Sequence, residues 1–329
     1  MPDLDSSILS AFLEAGESPV SGDRLAKELG VSRVTVWTRL ERLRTQGFVF
    51  EASTRKGYTL TSVPEVLHEA LVRAHLRRLK VAAAVEIIAE TDSTNSEAER
   101  RLASGQVVPL FILAQKQSAG RGRLGRKWHS DYPGNLYLSL ALRPFIPTDR
   151  LKPFTLWMGL ALCAHLDEVH GVRLGLKWPN DLQAADGRKL AGMLTEARLD
   201  ADAVRDLVFG LGLNVTAQSK DFPVELREVA TSLAMAGKGT YEINLVSAQI
   251  IAALERAWDD FLQDRWSENF KSYWKRYDNL TGKAVVIQLR GKPVSGVVQG
   301  IDDDGALVLK DANGERLLIS SGEVTLPKV

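Results

Sequence analysis

Apolar residues recur at helical spacing in three short blocks near the start of the chain. Ile8, Leu9, Phe12 and Leu13 share one face of a helix expected over residues 6–14. Ser21 is placed to cap a second helix carrying Leu25, Ala26 and Leu29, and Gly30 stands where a left-handed residue ends it. Ser32 caps a third helix reaching residue 44, with Val36, Leu40 and Leu43 facing inward. Residues 48–51 and 58–61 then read as two strands joined by a basic tip at 53–57, and Pro64 opens a connector expected to be helical over 65–79.

The middle of the chain mixes two periodicities. Strands are expected over 85–89, 110–115, 136–142, 174–177, 190–199 and 204–213, and the last two, separated by four residues, form an antiparallel hairpin. Helices are expected over 156–169 and 245–262, the latter from Leu245, Ala248, Ile251, Trp258 and Phe261. From Thr281 onward, short strands alternate with glycine turns at Gly291, Gly296, Gly305, Gly314 and Gly322, which describes an all-β module too small to fold securely alone. The expected domains are therefore 1–63, a connector at 64–82, a central domain at 83–278 and a β module at 279–329.

Composition narrows the class. An apolar fraction of 45% supplies real cores, and a net charge of +1 over 329 residues means that anion binding must come from local patches. The single cysteine, Cys163, lies in an apolar helical run and reads as a small buried hydrophobe. One cysteine without a secretion signal suits a reducing cytoplasm, and no apolar stretch nears the roughly 20 residues that span a bilayer. The five histidines show no compact metal-ligand spacing, so no structural metal is expected.

Helix, glycine turn, basic helix and basic hairpin together match a winged helix-turn-helix. On the third helix Ser32, Arg33, Thr35, Trp37, Thr38, Arg39 and Arg42 are not needed for the apolar face and suit a major groove. Arg55 and Lys56 at the hairpin tip suit phosphate, with Arg44 assisting. The alternative is a charged face used for protein contacts. One such domain makes few phosphate contacts, so DNA binding calls for a homodimer on two half-sites.

The segment from Gln117 to Trp128 holds Gly120, Gly122 and Gly125 interleaved with Arg121, Arg123, Arg126 and Lys127. It satisfies G-x-G-x-x-G, yet a polar loop closed by Pro133-Gly134 follows where a dinucleotide fold needs an apolar helix, and no Walker lysine follows Gly125. Interleaved glycines let backbone amides approach an anion, and crowded cations predict a loop that repels itself until a polyphosphate orders it.

These residues resemble the biotin-adenylate loop of the biotin protein ligases, a family that includes bifunctional biotin operon repressors. The turn 91–95 (Thr-Asp-Ser-Thr-Asn) resembles the family's biotin-contacting turn, and 177–181 (Lys-Trp-Pro-Asn-Asp) with 189–192 (Lys-Leu-Ala-Gly) resembles its catalytic segments. Gly210-Leu-Gly-Leu-Asn214, Gly300-Ile301 and Gly305-Ala306-Leu307 also fit, so the resemblance spans nearly the whole chain. It implies an α+β protein: the winged domain, a central mixed-sheet α/β ligase domain like those of class II synthetases, and a small C-terminal SH3-like β-barrel.

It further implies ATP with Mg²⁺, biotin as substrate, and a biotin carboxyl carrier protein and operator DNA as partners. Lys189, Asp181 and Arg123 would be catalytic, Asp181 either holding Mg²⁺ or orienting the acceptor lysine. Ser93, Thr94, Asn95, Gln117, Gly120, Arg121, Gly122, Arg123, Lys189 and Gly192 would face biotin, and Arg126, Lys127, Trp128, Asn180 and Asn214 the nucleotide. The chain departs from the family in a longer polar stretch at 183–188 and in lacking an arginine among residues 325–329. A lipoyl ligase without the basic loop, a ligase whose first domain no longer binds DNA, and a biotin sensor without catalysis stay open as alternatives.

Overall fold

The computed structural model describes residues 3–53, 56–237, 239–289 and 292–325. The first block holds helices α1 (Leu4–Ala15), α2 (Gly22–Leu29) and α3 (Arg33–Thr45) and the hairpin β1 (Val49–Ser53) with β2 (Gly57–Ser62). The cap residues behave as the sequence suggests. Ser21 Oγ accepts from the Arg24 amide, Ser32 Oγ from the Thr35 amide at 3.0 Å, and Gly30 takes φ 65° at the end of α2. Ile8, Leu9, Phe12, Leu25, Leu40 and Phe48 fill a core of its own.

The connector helix α4 (Glu69–Arg78) is shorter than expected and belongs to two cores at once. Ala70, Leu71 and Ala74 close the N-terminal core, whereas Val72 and Leu76 enter the central one. Polar contacts fix both sides of this joint. Arg77 donates to Ser7 Oγ at 2.8 Å, and His75 Nε2 lies 3.0 Å from Glu242, which also caps the helix following it.

The central sheet comprises β3 (Val85–Thr91), β4 (Leu110–Gln117), β5 (Leu136–Leu142), β6 (Ile146–Pro147), β7 (Leu174–Lys177), β8 (Asp181–Ala184), β9 (Lys189–Asp200) and β10 (Ala203–Leu213). The main strands run in the order β3-β4-β5-β10-β9-β8-β7, and only β3 and β4 pair in parallel. Around it lie α5 (Thr94–Ala103), α6 (Phe154–His170), α7 (Leu233–Ala236), α8 (Ile243–Leu262) and α9 (Trp266–Tyr277). Helix α5, strand β8 and helix α9 escaped the pattern, because α5 buries only Ala98 and Leu102 as apolar residues, β8 has four residues, and α9 is mostly polar. The polar stretch after β8 is the turn of the β8–β9 hairpin, with Gly187 at φ 84°.

The C-terminal module is a five-stranded antiparallel sheet of β11 (Ala284–Gln288), β12 (Pro293–Ile301), β13 (Leu307–Lys310), β14 (Arg316–Ile319) and β15 (Glu323–Thr325). It does not fold as an island: Val285, Ile287, Val298, Leu307 and Leu309 are continuous with the core beneath the central sheet. Trp178, 2% exposed, donates its indole N–H to the Gly305 carbonyl at 3.0 Å and pins the two together. No helix among the described residues is long and apolar enough to cross a membrane.

Between α6 and α8 the ring of His165 is largely buried, and its Nε2 has no hydrogen-bond partner among the described residues. Burial, reinforced by nearby Arg256 and His170, pushes its pKa down to about 4 from 6.5. The unfolded chain therefore binds a proton between those values that the folded chain refuses, and stability rises with pH across that window. Urea unfolding at pH 5 and pH 7 should show wild type losing stability at the lower pH and His165→Leu losing less. Parallel losses in both proteins would refute this account.

Candidate active site

Residues far apart in the chain meet at one cleft of about 1030 Å³, open mouth included. One wall is the end of β3 and the start of α5, where Ser93, Thr94 and Asn95 are buried. Their preceding turn is locked by Asp92, whose carboxylate accepts from the Ser93 amide and from Arg100, and the Arg100 guanidinium holds it well below the usual carboxylate range. The opposite wall is the turn after β7, with Asn180 and Asp181, and the start of β9, with Lys189 and Gly192. The basic loop crosses between them, contributing Arg121, Gly122, Arg123, Arg126, Lys127 and Trp128.

A single run of hydrogen bonds joins this wall to the loop. Asn95 accepts from Ser139 Oγ at 2.6 Å, and Ser139 lies 2.8 Å from the Thr94 hydroxyl. Gln117 Oε1 accepts from the Thr94 amide at 2.7 Å, while its Nε2 donates to Ser130 Oγ at 2.8 Å, which donates to the Trp128 carbonyl. Ser130 and Ser139 were not singled out in the sequence. The signal was there for Ser139: it is the one aliphatic hydroxyl in a strand, Leu136–Leu142, whose other residues are all apolar or aromatic.

Lys189 Nζ and Asp181 Oδ1 form an ion pair at 2.7 Å, at an angle unlike a directed hydrogen bond. The same ammonium stands 5.3 Å from the centre of the Trp128 ring. That indole lies against β9 and β10 at Gly192 and Gly212, where a Cβ would come within 2.9 and 2.3 Å of it. At Gly210 a Cβ would meet Asn95 Oδ1 at 2.2 Å. The glycines of this strand pair therefore leave room for two site side chains.

The loop's charges are not left to repel one another. Arg121 meets Glu196 at 3.0 Å and Glu99 at 3.3 Å, Arg123 donates to Asn180 at 2.9 Å and to the Gly322 carbonyl, and Arg126 pairs with Glu323. The Arg126 guanidinium holds the Glu323 carboxyl below its ordinary value, and burial lowers Arg123. The expectation of a self-repelling loop overlooked these carboxylates, which come from α5, β9 and β15.

Two expected site residues do not line the cleft. Asn214 is buried and accepts from Asn135 while donating to the Thr231 carbonyl at 2.9 Å, so it braces the segment behind Lys189. Gly120 sits at the loop's base, where a Cβ would strike the Trp128 carbonyl at 2.5 Å. Among the described residues no group of three His, Cys, Asp or Glu could hold a metal ion.

On the N-terminal domain, Arg33, Trp37, Thr38, Arg42 and Lys56 are exposed, and Val34 joins them at 71% exposure. Ser32 and Thr35 are occupied with capping α3. Arg39 turns toward buried Asp5 at 3.5 Å. Arg44 is spent on Glu41, the Phe50 carbonyl and the Phe50 and Tyr58 rings, so it is not free for phosphate. Arg55 and the chain end beyond Thr325 lie outside the described residues.

Comparison with known proteins shows the family. Residues 87–214 match the biotin/lipoate A/B protein ligase family, 6–59 an HTH domain, and 281–326 the biotin protein ligase C-terminal domain. The chain belongs to the biotin protein ligases of that family, in the branch that carries an N-terminal helix-turn-helix. It is 33% identical to the bifunctional ligase/repressor BirA of Bacillus subtilis over 97% of each chain. With its Escherichia coli counterpart it shares 31% identity over 92% of this chain and 91% of that one. Among solved structures, the Aquifex aeolicus biotin protein ligase in complex with biotin and ATP superposes with a TM-score of 0.61 at 27% identity, covering 75% of this chain and 99% of that one.

The packing of Trp128 on glycine is testable. Gly212→Ala should cost about 1–3 kcal/mol in urea unfolding, the range for overpacking. In a Trp128→Ala background that cost should vanish, and a cost of equal size there would show that the indole does not lie on Gly212.

Proposed function

We propose that this chain activates biotin with ATP as biotinyl-5'-AMP and then transfers the biotinyl group to a lysine of a biotin carboxyl carrier protein. The observation that carries this is the meeting of Lys189 with the arginines of residues 121–126 around one cleft. In the first half-reaction a biotin carboxylate oxygen attacks the α-phosphorus, and the bond to the departing pyrophosphate breaks. Two anions must approach, so fixed positive groups lower the barrier by cancelling their repulsion and the charge that develops. Lys189, paired with Asp181, lies between carboxylate and α-phosphate, Arg121 and Arg123 hold the biotin and adenylate phosphate, and Arg126 and Lys127 the remaining phosphates.

In the second half-reaction the amine of the carrier lysine attacks the activated carbonyl carbon, and AMP leaves. Ser93, Thr94, Asn95 and Gln117 supply donors and acceptors for the ureido ring, and Trp128 an aromatic face for the adenine. Asp181 would hold a Mg²⁺ ion brought in on the phosphates, for which one protein carboxylate suffices; the ion's contribution is to neutralise phosphate charge. The match to a biotin-specific C-terminal domain and the presence of the basic loop favour biotin over lipoate. We read the enzyme as cytoplasmic, which suits a chain with a single cysteine.

The N-terminal domain is read as an operator-binding repressor whose groove-facing side is Arg33, Val34, Trp37, Thr38 and Arg42. Homodimerisation brings two such helices onto two half-sites. Among the described residues 194–200 of β9 ladder with β10 alone, and exposed Leu199 lies on that open edge, so a second copy can extend the sheet there.

Lys189→Ala should form no detectable biotinyl-AMP from biotin and Mg·ATP by mass spectrometry, a loss of at least roughly 10²-fold. Arg123→Ala should form it but release it into solution. Undiminished adenylate formation by Lys189→Ala would remove the central assignment. Sedimentation with and without biotinyl-AMP should show tighter dimers in its presence, and equal dimerisation constants would rule out coupling between adenylate binding and dimerisation.

A further inference from the structure

We propose that Glu196 is a positioning residue that seats the cationic loop over the cleft, acting through Arg121 and Asn95. The proposal rests on the ligase reading for its consequences but not for its geometry. Glu196 stands on β9 seven residues beyond Lys189, and its Oε2 accepts from Asn95 Nδ2 at 2.7 Å and from Arg121 Nη2 at 3.0 Å.

An exposed carboxylate pairing with a loop arginine would ordinarily contribute little, because both side chains must be frozen to meet. Glu196 differs because its acceptor oxygen is held in advance. Asn95 is buried, its Oδ1 is bound by Ser139, and its amide occupies the space left by the missing Cβ of Gly210. The carboxylate that Asn95 holds therefore presents a fixed target to Arg121. Glu99 on α5 flanks the same guanidinium at 3.3 Å.

The loop is thus tied at two points of one network. Arg121 fixes its first half through Glu196, and Ser130 fixes its last residues through the Trp128 carbonyl and Gln117. Both ties run back to Ser139, at the back of the wall formed by Thr94 and Asn95. A loop seated this way covers the cleft between the two half-reactions and slows loss of the adenylate.

The test uses the full-length protein and three variants: Glu196→Gln, which preserves shape and the acceptor for Asn95, Arg121→Gln, whose exposed side chain makes misfolding no concern, and the double variant. In substrate-free protein, Glu196→Gln should speed tryptic cleavage after Arg123 and Arg126 about tenfold, the size expected for losing one charge-assisted hydrogen bond. Release of biotinyl-AMP should accelerate by a similar factor, with KM for ATP changing more than kcat for adenylate formation. Adding Glu196→Gln to Arg121→Gln should change neither readout further. Unchanged cleavage and release in Glu196→Gln, or effects that multiply in the double variant, would overturn the proposal. Failure of wild type to make biotinyl-AMP would instead strike the ligase reading, since the cleavage assay needs no substrate.

Discussion

Gathering several cations around one cleft carries a Coulomb cost that the fold must meet before any substrate arrives. The structure meets it with carboxylates from four elements: Glu196 with Glu99 against Arg121, Asp181 against Lys189, and Glu323 against Arg126. Each pair also fixes a direction, because a guanidinium that must face a carboxylate cannot wander. Everything else in the central domain serves to bring these partners within about 3 Å of one another.

The strand pair β9–β10 is the platform for that arrangement. Glycines at 192, 210 and 212 remove side chains where Trp128 and Asn95 need to lie, so the loop can approach the sheet closely enough for Lys189 and Asp181 to face it. The C-terminal sheet is part of the same construction, since it supplies Glu323 and the Gly322 carbonyl and is anchored by the buried Trp178 next to Asn180. Helix α4 joins the DNA-binding domain to this assembly with apolar contacts into both cores and the His75–Glu242 contact toward the central one.

Much of this was legible in the chain. Three helices with their caps, the wing, six central strands and the glycine-punctuated β module follow from periodicity and turn chemistry, which are local properties. The charged glycine loop also stood out, because clustered cations between glycines are unusual unless they meet an anion, whereas Lys189 and Asp181 became legible through the resemblance of segments 177–181 and 189–192 to the family's catalytic segments. Those features depend only on neighbours a few residues away.

What the sequence could not decide was which distant groups face each other. Glu99, Glu196 and Glu323 look like ordinary surface acids until the sheet order places them against the loop, and Ser139 becomes a junction only when β5 passes behind Asn95. Asn214 shows the converse: it carries a motif position yet spends its amide bracing Thr231 and Asn135. Helical and strand periodicity record one face of one element, whereas the site is a sum of electrostatic and hydrogen-bonded pairings across seven or more elements. Such pairings exist only once long-range contacts have closed, and so they belong to the tertiary structure alone.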